Sequence, residues 1–338
     1  MRGTILYGPG DVRVEDRPDP VIKEPTDAVI RTVATCVCGS DLWPYRGIDQ
    51  LAKPRPYGHE YVGIVEEVGE RFTTLTPGQF VVGGFYASDG TCAHCRAGFQ
   101  FSCVNSSPFD GCQSELIRIP QADGTLFATP TLPDEELIPS LLALSDVMST
   151  GWHAAVSANV QSGATVVVVG DGAVGLCAVL AARELGAERI IAMSRHESRQ
   201  RIATDFGATD IVETRGDEGV AAVMELTDGV GADAVCEAVG TGESMTQAVR
   251  VVRPGGMVGV VGVPHGVELP LRQMFFGNVG VKGGPASVAQ YLPTLLDKVL
   301  SRQIEPGKVF DLELPLEQVA EAYAAMDERR AIKVLLRP

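Results

Sequence analysis

The stretch VVVVGDGAVG, residues 166–175, restricts the fold of this chain more than any other feature. Its four valines predict a buried strand, and three glycines follow with GxGxxG spacing at the head of an apolar helical pattern. In that context the glycines allow a tight turn, close approach of the backbone to a pyrophosphate, and close packing of helix on strand. The helix N-terminus supplies unpaired N–H groups for the phosphates. The alternative is a glycine turn that binds nothing. The residues predicted to bind a dinucleotide here are Gly170, Gly172, Ala173, Val174 and Gly175.

The pattern on either side of this turn predicts an α/β protein with two domains. From about residue 150, short apolar strands alternate with helical segments, which predicts a doubly wound parallel sheet with helices on both faces. Residues before about 145 are short strands separated by turns such as GPGD, KEPTD and TPGQ. They predict a twisted, barrel-like β domain. The predicted boundaries are 1–149 for the β-rich domain, 150–287 for the cofactor domain, and 288–338 for a segment that returns to the first domain.

Composition argues against several classes of function. A formal net charge of −15 over 338 residues opposes nucleic-acid binding, which relies on Lys and Arg to neutralise phosphates. No apolar run approaches the ~18 residues of a membrane span, and the start of the chain has no signal-peptide pattern. The eight cysteines are therefore expected to be metal ligands or core thiols rather than disulfides. We expect a cytoplasmic protein with a small-molecule substrate and no nucleic-acid or membrane partner.

The residues after the second predicted strand indicate which nicotinamide cofactor fits. An NAD site places Asp or Glu at that point to bind the ribose 2′-hydroxyl. Here the strand RIIAM ends in Ser194-Arg195-His196, and Arg199 follows one turn later. No carboxylate follows the strand to repel a 2′-phosphate, and a guanidinium can bind one through two hydrogen bonds. We predict NADP(H) in preference to NAD(H), bound by Ser194, Arg195 and Arg199. The alternative is a solvated basic strand end.

Three separated segments carry residues of the kinds that bind zinc. TCVCGSD contains Cys38, GHE contains His59 and Glu60, and ALSDVMSTGW contains Asp146. Thiolate, imidazole and carboxylate are all zinc ligands, and three protein ligands with one open position form the catalytic arrangement. Spacing along the chain does not join these residues, and a lone Cys or His is more often packed in a core.

The order of these motifs resembles that of the zinc-containing medium-chain alcohol dehydrogenase family over essentially the whole chain. CGSD, GHExxGxVxxVG, a cysteine-rich loop, SDVMSTGWHA and GxGxxG follow one another as in that family. The resemblance implies a GroES-like catalytic domain and a Rossmann domain, with the active site between them. It implies a catalytic zinc on Cys38, His59 and Asp146, with Glu60 as a nearby or exchangeable ligand. Asp146 matches the branch that resembles bacterial NADP-dependent secondary-alcohol dehydrogenases. Asp41 matches the carboxylate that hydrogen-bonds the ligand histidine.

A second cluster of metal-binding residue types lies in SDGTCAHCRAGFQFSC. Cys92 and Cys95 have C-x2-C spacing and Cys103 follows, which indicates a metal site that contains only three cysteines. In the family that the chain resembles, a fourth ligand precedes the first of these cysteines by three residues, and that residue is Asp89 here. The resemblance thus implies a structural zinc on these four residues. The alternatives are an empty lobe, a redox C-x2-C pair, or a different fourth ligand, namely His94 or Cys112.

The activity that the resemblance implies is reversible hydride transfer between an alcohol and NADP(H), with zinc lowering the pKa of the alcohol. Ser40 matches the hydroxyl that passes the alcohol proton outward, and Thr150 matches a residue beside the nicotinamide. Several relatives complete this proton relay with a histidine, where this chain has Trp43. We expect Trp43 to line the substrate pocket. The segment MVGVVGVP resembles the family's subunit-contact region, which implies a homodimer or homotetramer.

Two other functions are compatible with the same sequence. A polyol, sugar or amino-alcohol dehydrogenase would share this fold and zinc site, because the substrate pocket cannot be read from sequence. A non-enzymatic NADPH-binding protein would use the cysteine lobe as a redox sensor. The zinc-free quinone reductases of the superfamily lack the ligand set of Cys38, His59 and Asp146.

Overall fold

A computed structural model of the chain describes residues 1–71, 74–107, 109 and 111–338. The chain divides into two compact units. The first comprises Met1–Asp146 and Ser287–Pro338, and the second comprises Val147–Ala286. No sheet is shared between the units: among the described residues the first contains two sheets and the second contains one, and each unit has apolar clusters of its own. The chain therefore leaves the first unit once, completes the second, and returns.

The described residues form sixteen strands, which in chain order are β1 (Arg2–Gly8), β2 (Asp11–Asp16), β3 (Ala28–Cys36), β4 (Arg55–Pro56), β5 (Tyr61–Val68), β6 (Phe80–Gly83), β7 (Leu116–Ile119), β8 (Leu126–Ala128), β9 (Thr165–Val169), β10 (Arg189–Met193), β11 (Asp210–Val212), β12 (Ala232–Glu237), β13 (Val252–Val260), β14 (Gly280–Gly283), β15 (Leu312–Pro315) and β16 (Val334–Arg337).

The α-helices of the same residues, with short 3₁₀ turns between some of them, are α1 (Leu42–Tyr45), α2 (Ala93–Arg96), α3 (Ala122–Thr125), α4 (Ile138–Leu144), α5 (Val147–Ser157), α6 (Ala173–Glu184), α7 (Glu197–Phe206), α8 (Gly216–Leu226), α9 (Gly242–Val251), α10 (Leu271–Gly277), α11 (Val288–Leu300) and α12 (Val319–Asp327). Over the described part of the chain, none of these helices has the length and apolar character that crossing a membrane requires.

The first unit is built on a largely antiparallel sheet with the strand order β15-β16-β3-β5-β6-β8, in which β7 also pairs with β3. The register of β3 and β5 places Ile30 opposite Val65 and Thr35 opposite Tyr61. Ile30, Tyr61 and Val65 share one buried apolar cluster, as expected for strands with one face on the core. A smaller sheet with the order β2-β1-β4 completes the β structure. The prediction of a β-rich fold for this part of the chain is confirmed.

The segment after residue 287 belongs to this same unit. Strand β16 pairs with β3, with Leu335 opposite Cys36, and also runs parallel to β15. Helix α12 packs Val319 and Tyr323 into an apolar cluster that also contains Leu6 from β1. The pairing of β16 brings the residues just before it close to the end of β3, where the chain continues towards the first candidate metal ligand.

The second unit contains a six-stranded parallel sheet with the order β11-β10-β9-β12-β13-β14. Numbered from β9, this is the Rossmann order 3-2-1-4-5-6, so the predicted doubly wound sheet is confirmed. Strands β9 and β10 are almost continuously apolar because helices cover both faces of such a sheet. Val167 pairs with Ile191, and both lie in the core of this unit. The carboxyl ends of β9, β10 and β12 meet at one edge, where dinucleotides bind in this fold.

Candidate metal and cofactor sites

Cys38, His59 and Asp146 converge in the first unit although they are far apart in sequence. Cys38 follows β3 and His59 precedes β5, and these two strands are antiparallel neighbours, so the end of one meets the start of the other. Asp146 lies between α4 and α5. The Sγ of Cys38 is 3.5 Å from Oδ2 of Asp146, and Nε2 of His59 is 3.3 Å from the same oxygen.

The spacing of these atoms fits a zinc ion. Zinc bonds of about 2.3 Å to sulfur and about 2.0–2.1 Å to nitrogen or oxygen, at tetrahedral angles, place S and O about 3.5 Å apart and N and O about 3.3 Å apart. The measured separations of 3.5 Å and 3.3 Å equal those edges of the tetrahedron. Four donor atoms, one each from Cys38, His59, Glu60 and Asp146, lie within 4.8 Å of one another. Thiol, imidazole and carboxylate donors at these distances can hold zinc.

The electrostatics of the cluster also favour a cation. Burial, together with the carboxylates of Asp146 and Glu60, raises the pKa of Cys38 to about 11. Asp146 is only 7% exposed and Glu60 is fully buried. Buried carboxylates are costly without a compensating charge, and a coordinated divalent ion both compensates them and deprotonates a ligand thiol. The donor set is therefore complementary to a divalent metal in charge as well as in geometry.

Glu60 is held at this site by Lys333, a residue that the sequence analysis missed. Nζ of Lys333 lies 2.7 Å from Oε1 of Glu60 and donates a second hydrogen bond, 3.2 Å long, to the carbonyl of Val37. The other oxygen of Glu60, Oε2, is buried and has no hydrogen-bond partner among the described residues. One carboxylate oxygen is thus paired with an ammonium, while the second remains available to a metal. The sequence feature that could have predicted a buried lysine here is its position within the otherwise apolar segment AIKVLL.

The ring of His59 is oriented by Asp41. Oδ1 of Asp41 lies 3.4 Å from Nδ1 of His59, so Nε2 is the nitrogen that faces Asp146. Oδ2 of Asp41 accepts a hydrogen bond from the backbone N–H of Cys38. Burial raises the pKa of Asp41 to about 6. A carboxylate beside the far nitrogen of a ligand histidine favours one ring orientation and tautomer, and the resemblance implies this pairing of Asp41 with His59.

A further layer of side chains, also missed from sequence, supports Asp41. Nε2 of Gln113 donates to Oδ2 of Asp41 at 3.3 Å, and the hydroxyl of Tyr323 donates to Oε1 of Gln113 at 3.2 Å. Gln113 and Tyr323 are both fully buried. A hydrogen-bonded path therefore runs from helix α12 through Gln113 to Asp41, whose other carboxylate oxygen lies 3.4 Å from Nδ1 of His59.

Ser40 and Trp43 lie close to Cys38 in sequence and in structure. Ser40 occupies the 3₁₀ turn Gly39–Asp41 that directly follows Cys38. Trp43 lies in α1, the next element, and is partly buried. Both residues are therefore near the metal cluster through the backbone, but their predicted roles with substrate stay predictions.

The cysteine lobe brings together the four residues predicted there. Sγ of Cys92 lies 3.4 Å from that of Cys95 and 4.0 Å from that of Cys103, and Sγ of Cys95 lies 3.4 Å from Oδ1 of Asp89. Tetrahedral zinc would set S–S edges of about 3.8 Å and S–O edges of about 3.5 Å. The four donor atoms lie within 4.8 Å of one another. Within the described residues, neither His94 nor Cys112 belongs to this group, and Cys112 is instead packed in an apolar cluster.

Hydrogen bonds in the lobe favour the ionised forms of Asp89 and Cys92, whereas burial and hydrogen bonds with Cys92, Cys103 and Asp89 raise the pKa of Cys95 to about 12. Backbone N–H groups of Cys95 and Val104 lower the pKa of Cys92 to about 7. Partial burial alone would raise the pKa of Asp89, but a hydrogen bond from Asn105 and two from backbone N–H groups outweigh it and lower that pKa. The lobe thus contains an ionised carboxylate and an easily ionised thiol. Its donor set fits zinc.

The glycine turn of the second unit has the backbone that its sequence predicts. Gly170 has φ +116°, which favours glycine over other residues. A Cβ on Gly175 would lie 2.0 Å from the carbonyl oxygen of Gly170, so only glycine lets α6 pack this closely on the turn. A Cβ on Gly172 would meet nothing within 4 Å, and Gly172 directly precedes α6, which starts with Ala173 and Val174. The head of this twelve-residue helix is therefore open to a phosphate-bearing ligand.

The strand end predicted to bind a 2′-phosphate is organised differently from the prediction. The sequence analysis predicts no carboxylate at this strand end, but in the structure Asp171 of the neighbouring glycine turn lies there. The hydroxyl of Ser194 donates to Oδ2 of Asp171 at 3.0 Å, and Nη1 of Arg199 lies 3.1 Å from Oδ1. Ser194 is 1% exposed, whereas Arg195 points to solvent. The prediction overlooked Asp171 because it was made along strand β10 alone, and the carboxylate comes from the end of β9.

Thr150 lies in the second unit, near the start of α5, and is buried. Its neighbour Gly151 would place a Cβ only 2.6 Å from the backbone nitrogen of Ala178, so α5 and α6 pack closely at this point. Thr150 is thereby fixed against the helix that follows the glycine turn. The metal-cluster residues belong to the other unit. The placement of Thr150 beside a nicotinamide stays a prediction.

Known families match both parts of the chain. A model of the GroES-like domain of alcohol dehydrogenases matches residues 24–131, and a model of zinc-binding dehydrogenases matches residues 173–301. The first range includes three of the four residues of the metal cluster and the whole cysteine lobe. The second begins at the first residue of helix α6.

Individual proteins match over the full length. The zinc-type alcohol dehydrogenase B of Aspergillus flavus is 34% identical over 100% of this chain and 81% of its own. The NADP-dependent isopropanol dehydrogenase of Thermoanaerobacter brockii is 31% identical over 100% of this chain and 99% of its own. Among solved structures, an alcohol dehydrogenase from a Thermus species is 32% identical with a TM-score of 0.91, covering 100% of this chain and 99% of that one.

Proposed function

The chain belongs to the zinc-containing medium-chain alcohol dehydrogenase family and is an oxidoreductase, and from that premise we propose that it transfers hydride reversibly between an alcohol and NADP(H). The oxidised substrate would be the corresponding ketone or aldehyde. The fold is the one that the sequence predicts, a GroES-like part and a Rossmann part. The family supports zinc and a nicotinamide cofactor, while the preference for NADP(H) and the reduction of ketones are parts of the proposal.

The observation that carries this proposal is the spacing of Cys38, His59 and Asp146. Their donor atoms are separated by the edges of a zinc coordination tetrahedron, 3.5 Å and 3.3 Å. When bound there, zinc supplies a Lewis acid that polarises the substrate oxygen. Cys38, His59 and Asp146 are assigned to hold the ion, and Glu60, which has one carboxylate oxygen without a hydrogen-bond partner among the described residues, is assigned as an alternative ligand.

The protein side chains have separate roles in this reaction. Asp41 is assigned to orient the ring of His59 through its contact with Nδ1, so that Nε2 faces Asp146. Ser40 is assigned to pass the proton of the alcohol hydroxyl outward, accepting it while its own hydroxyl proton goes to solvent water. The carbinol carbon gives a hydride, with both electrons, to the nicotinamide ring, so proton and hydride leave the substrate separately. Trp43 replaces the usual relay histidine and cannot carry this proton, and it is assigned to the wall of the substrate pocket.

The unit Val147–Ala286 is proposed to be the cofactor domain. Gly170, Gly172 and the head of α6 would bind the pyrophosphate. Thr150 is assigned to the surroundings of the nicotinamide. The exposed Arg195 is assigned to the 2′-phosphate. The printed name of the Thermoanaerobacter brockii relative, an NADP-dependent enzyme, supports the preference for NADP(H).

The lobe of Asp89, Cys92, Cys95 and Cys103 is proposed to hold a second, structural zinc. All four protein ligands are present, so no position is open for a substrate, as in structural zinc sites. We further propose a cytoplasmic homodimer or homotetramer that acts on a small alcohol or ketone. Membrane and nucleic-acid partners are not part of this proposal, since the net charge is −15.

An activity scan with metal removal tests the proposed function. The purified protein is assayed with short-chain primary and secondary alcohols and the matching ketones, using NADP(H) and NAD(H). Treatment with a chelator should abolish turnover, and added zinc should restore it. Thiol-dependent changes in NADPH binding without any turnover would contradict the proposal and favour a redox sensor.

A cysteine variant ties that activity to the metal cluster. Cys38→Ser should lose turnover while it retains NADPH binding, because Cys38 lies in the first unit and the glycine turn lies in the second. Cys112→Ala is the matched control, since Cys112 is equally buried in the first unit but lies outside both donor clusters. It should keep its turnover. Full activity of Cys38→Ser would refute the ligand assignment.

A further inference from the structure

The residue between the first two glycines of the turn, Asp171, carries a buried carboxylate directed at the end of strand β10. It is 7% exposed. Oδ2 accepts a hydrogen bond from the hydroxyl of Ser194 at 3.0 Å, and Oδ1 pairs with Nη1 of Arg199 at 3.1 Å. The GxGxxG pattern places no demand on this position, so neither the turn nor the packing of α6 explains a buried acid here.

The bond between Asp171 and Arg199 is a strong one. The side chain of Arg199 is 13% exposed and that of Asp171 is 8% exposed, so water screens the pair only weakly. Burial alone would raise the pKa of Asp171, but the charge of Arg199 and the hydrogen bond from Ser194 outweigh it and lower that pKa. The carboxylate is therefore ionised at neutral pH and holds both partners.

The other groups at this strand end differ in their availability. Arg195 is exposed, and over the described part of the chain no carboxylate forms an ion pair with it. His196, the N-cap of α7, is partly buried. Of the three residues predicted to bind a 2′-phosphate, two are thus bonded to Asp171 and one is free to meet a ligand.

We propose that Asp171 is a specificity-determining residue that limits the preference of this site for NADP(H) over NAD(H). It withholds Arg199 and Ser194 from a 2′-phosphate and keeps a negative charge at the end of strand β10. A 2′-phosphate carries up to two negative charges at neutral pH, whereas a ribose 2′-hydroxyl carries none, so the carboxylate disfavours only the phosphorylated cofactor. This inference rests on the proposed function, because it assumes that the glycine turn binds a nicotinamide dinucleotide.

Binding of two adenosine fragments to Asp171→Asn tests the inference without turnover. The probes are 2′,5′-ADP, which has the 2′-phosphate, and 5′-AMP, which lacks it, with dissociation constants measured by calorimetry. Asparagine keeps the shape of Asp171 but removes its charge and so weakens its hold on Arg199. The ratio of the two dissociation constants should shift towards 2′,5′-ADP by about fivefold or more, the effect of one released charge-assisted hydrogen bond.

The matched control is Asp210→Asn. Asp210 forms an equally close pair with Arg189, at 2.9 Å, but at the opposite, amino-terminal edge of the same sheet. It should leave the ratio unchanged. The double variant Asp171→Asn with Arg199→Gln should lose the gain, because the freed guanidinium is gone. An unchanged or reversed ratio in a folded Asp171→Asn protein would overturn the inference.

Two further outcomes keep the test decisive. A crystal structure of the unmodified protein with 2′,5′-ADP should show Arg199 still bound to Asp171, and Arg195 in contact with the 2′-phosphate. This test does not depend on whether the Asp171→Asn variant folds. Transfer of Arg199 from Asp171 to the phosphate would overturn the inference. Wild-type protein that binds neither fragment would instead refute the proposed cofactor site itself, which separates the two failures.

Discussion

Nζ of Lys333 lies 2.7 Å from Oε1 of Glu60, and the two side chains are 1% and 0% exposed. The pair joins the segment before β16 to the residue that follows His59. It leaves the second oxygen of Glu60 without a hydrogen-bond partner among the described residues. A buried ion pair of this kind gives little net stability, but removing one partner leaves an uncompensated charge in the core. Removing one member of the pair should therefore lower the free energy of unfolding, which can be measured.

Lys333→Met should destabilise the first unit by about 3–5 kcal/mol, because it leaves the Glu60 carboxylate buried and unpaired. The free energy of unfolding by urea measures the effect. The control is Lys308→Met, since Lys308 pairs with Glu305 on the surface at 46% and 53% exposure and should change stability by less than about 0.5 kcal/mol. Glu60→Gln added to Lys333→Met should recover part of the loss. Equal stability of the two single variants would contradict the buried-pair interpretation.

Cys95→Ser should remove one zinc from each chain, lowering the content from about two to about one, because it breaks the four-residue donor set of the lobe. Elemental analysis of the purified protein measures the change, and the melting temperature should fall while NADPH binding remains. His94→Ala is the control, since His94 is exposed on the same helix α2 but outside the donor set. A zinc content of about one in the unmodified protein would show that the lobe does not bind metal.

Gln113→Ala should weaken zinc binding by about tenfold, because side chains that support a metal ligand typically contribute that much to metal affinity. Gln113 holds Oδ2 of Asp41, and Asp41 orients His59. Competition with a chelator measures the affinity, and the visible spectrum of the cobalt-substituted protein reports the ligand geometry. Exposed Gln303 provides the control, Gln303→Ala. An unchanged affinity and spectrum would mean that Gln113 only fills space.

Arg195→Gln should weaken NADPH binding by about tenfold and leave NADH binding unchanged, because only NADPH carries the phosphate that a guanidinium binds. Fluorescence titration with both cofactors measures the ratio. Arg201→Gln is the control, since Arg201 is exposed on α7 and pairs with Glu197 one turn away. Replacing Ser194 by an acid is a poor test, because Ser194 is buried against Asp171. Equal loss of both cofactors would argue against a 2′-phosphate contact.

Sequence predicts those features of this protein that depend on local spacing. The glycine turn follows its strand directly, and the C-x2-C pair with Asp89 lies within one loop, so a few adjacent residues define each site. The β-rich and Rossmann parts could be predicted from sequence for the same reason, because the hydrophobic periodicity that indicates each strand or helix is a local pattern. Cys38, His59 and Asp146 were joined by resemblance to a family, not by their spacing.

The features that sequence missed depend on contacts between distant segments. Lys333 meets Glu60 across 273 positions, and Tyr323 meets Gln113 across 210. Asp171 and Ser194 are closer in sequence, but they come from adjacent parallel strands, and only the sheet order places them together. Partners of this kind follow from tertiary structure, because no periodicity along one element specifies them.

The pairing of β16 between β3 and β15 has a consequence for biosynthesis. The unit Val147–Ala286 is continuous, so a ribosome delivers all of it before residues 287–338 emerge. Until then β3 lacks one neighbour and Glu60 lacks the ammonium that balances it. We therefore expect the first unit, although most of it is translated first, to complete its folding last, after the second unit can already have formed.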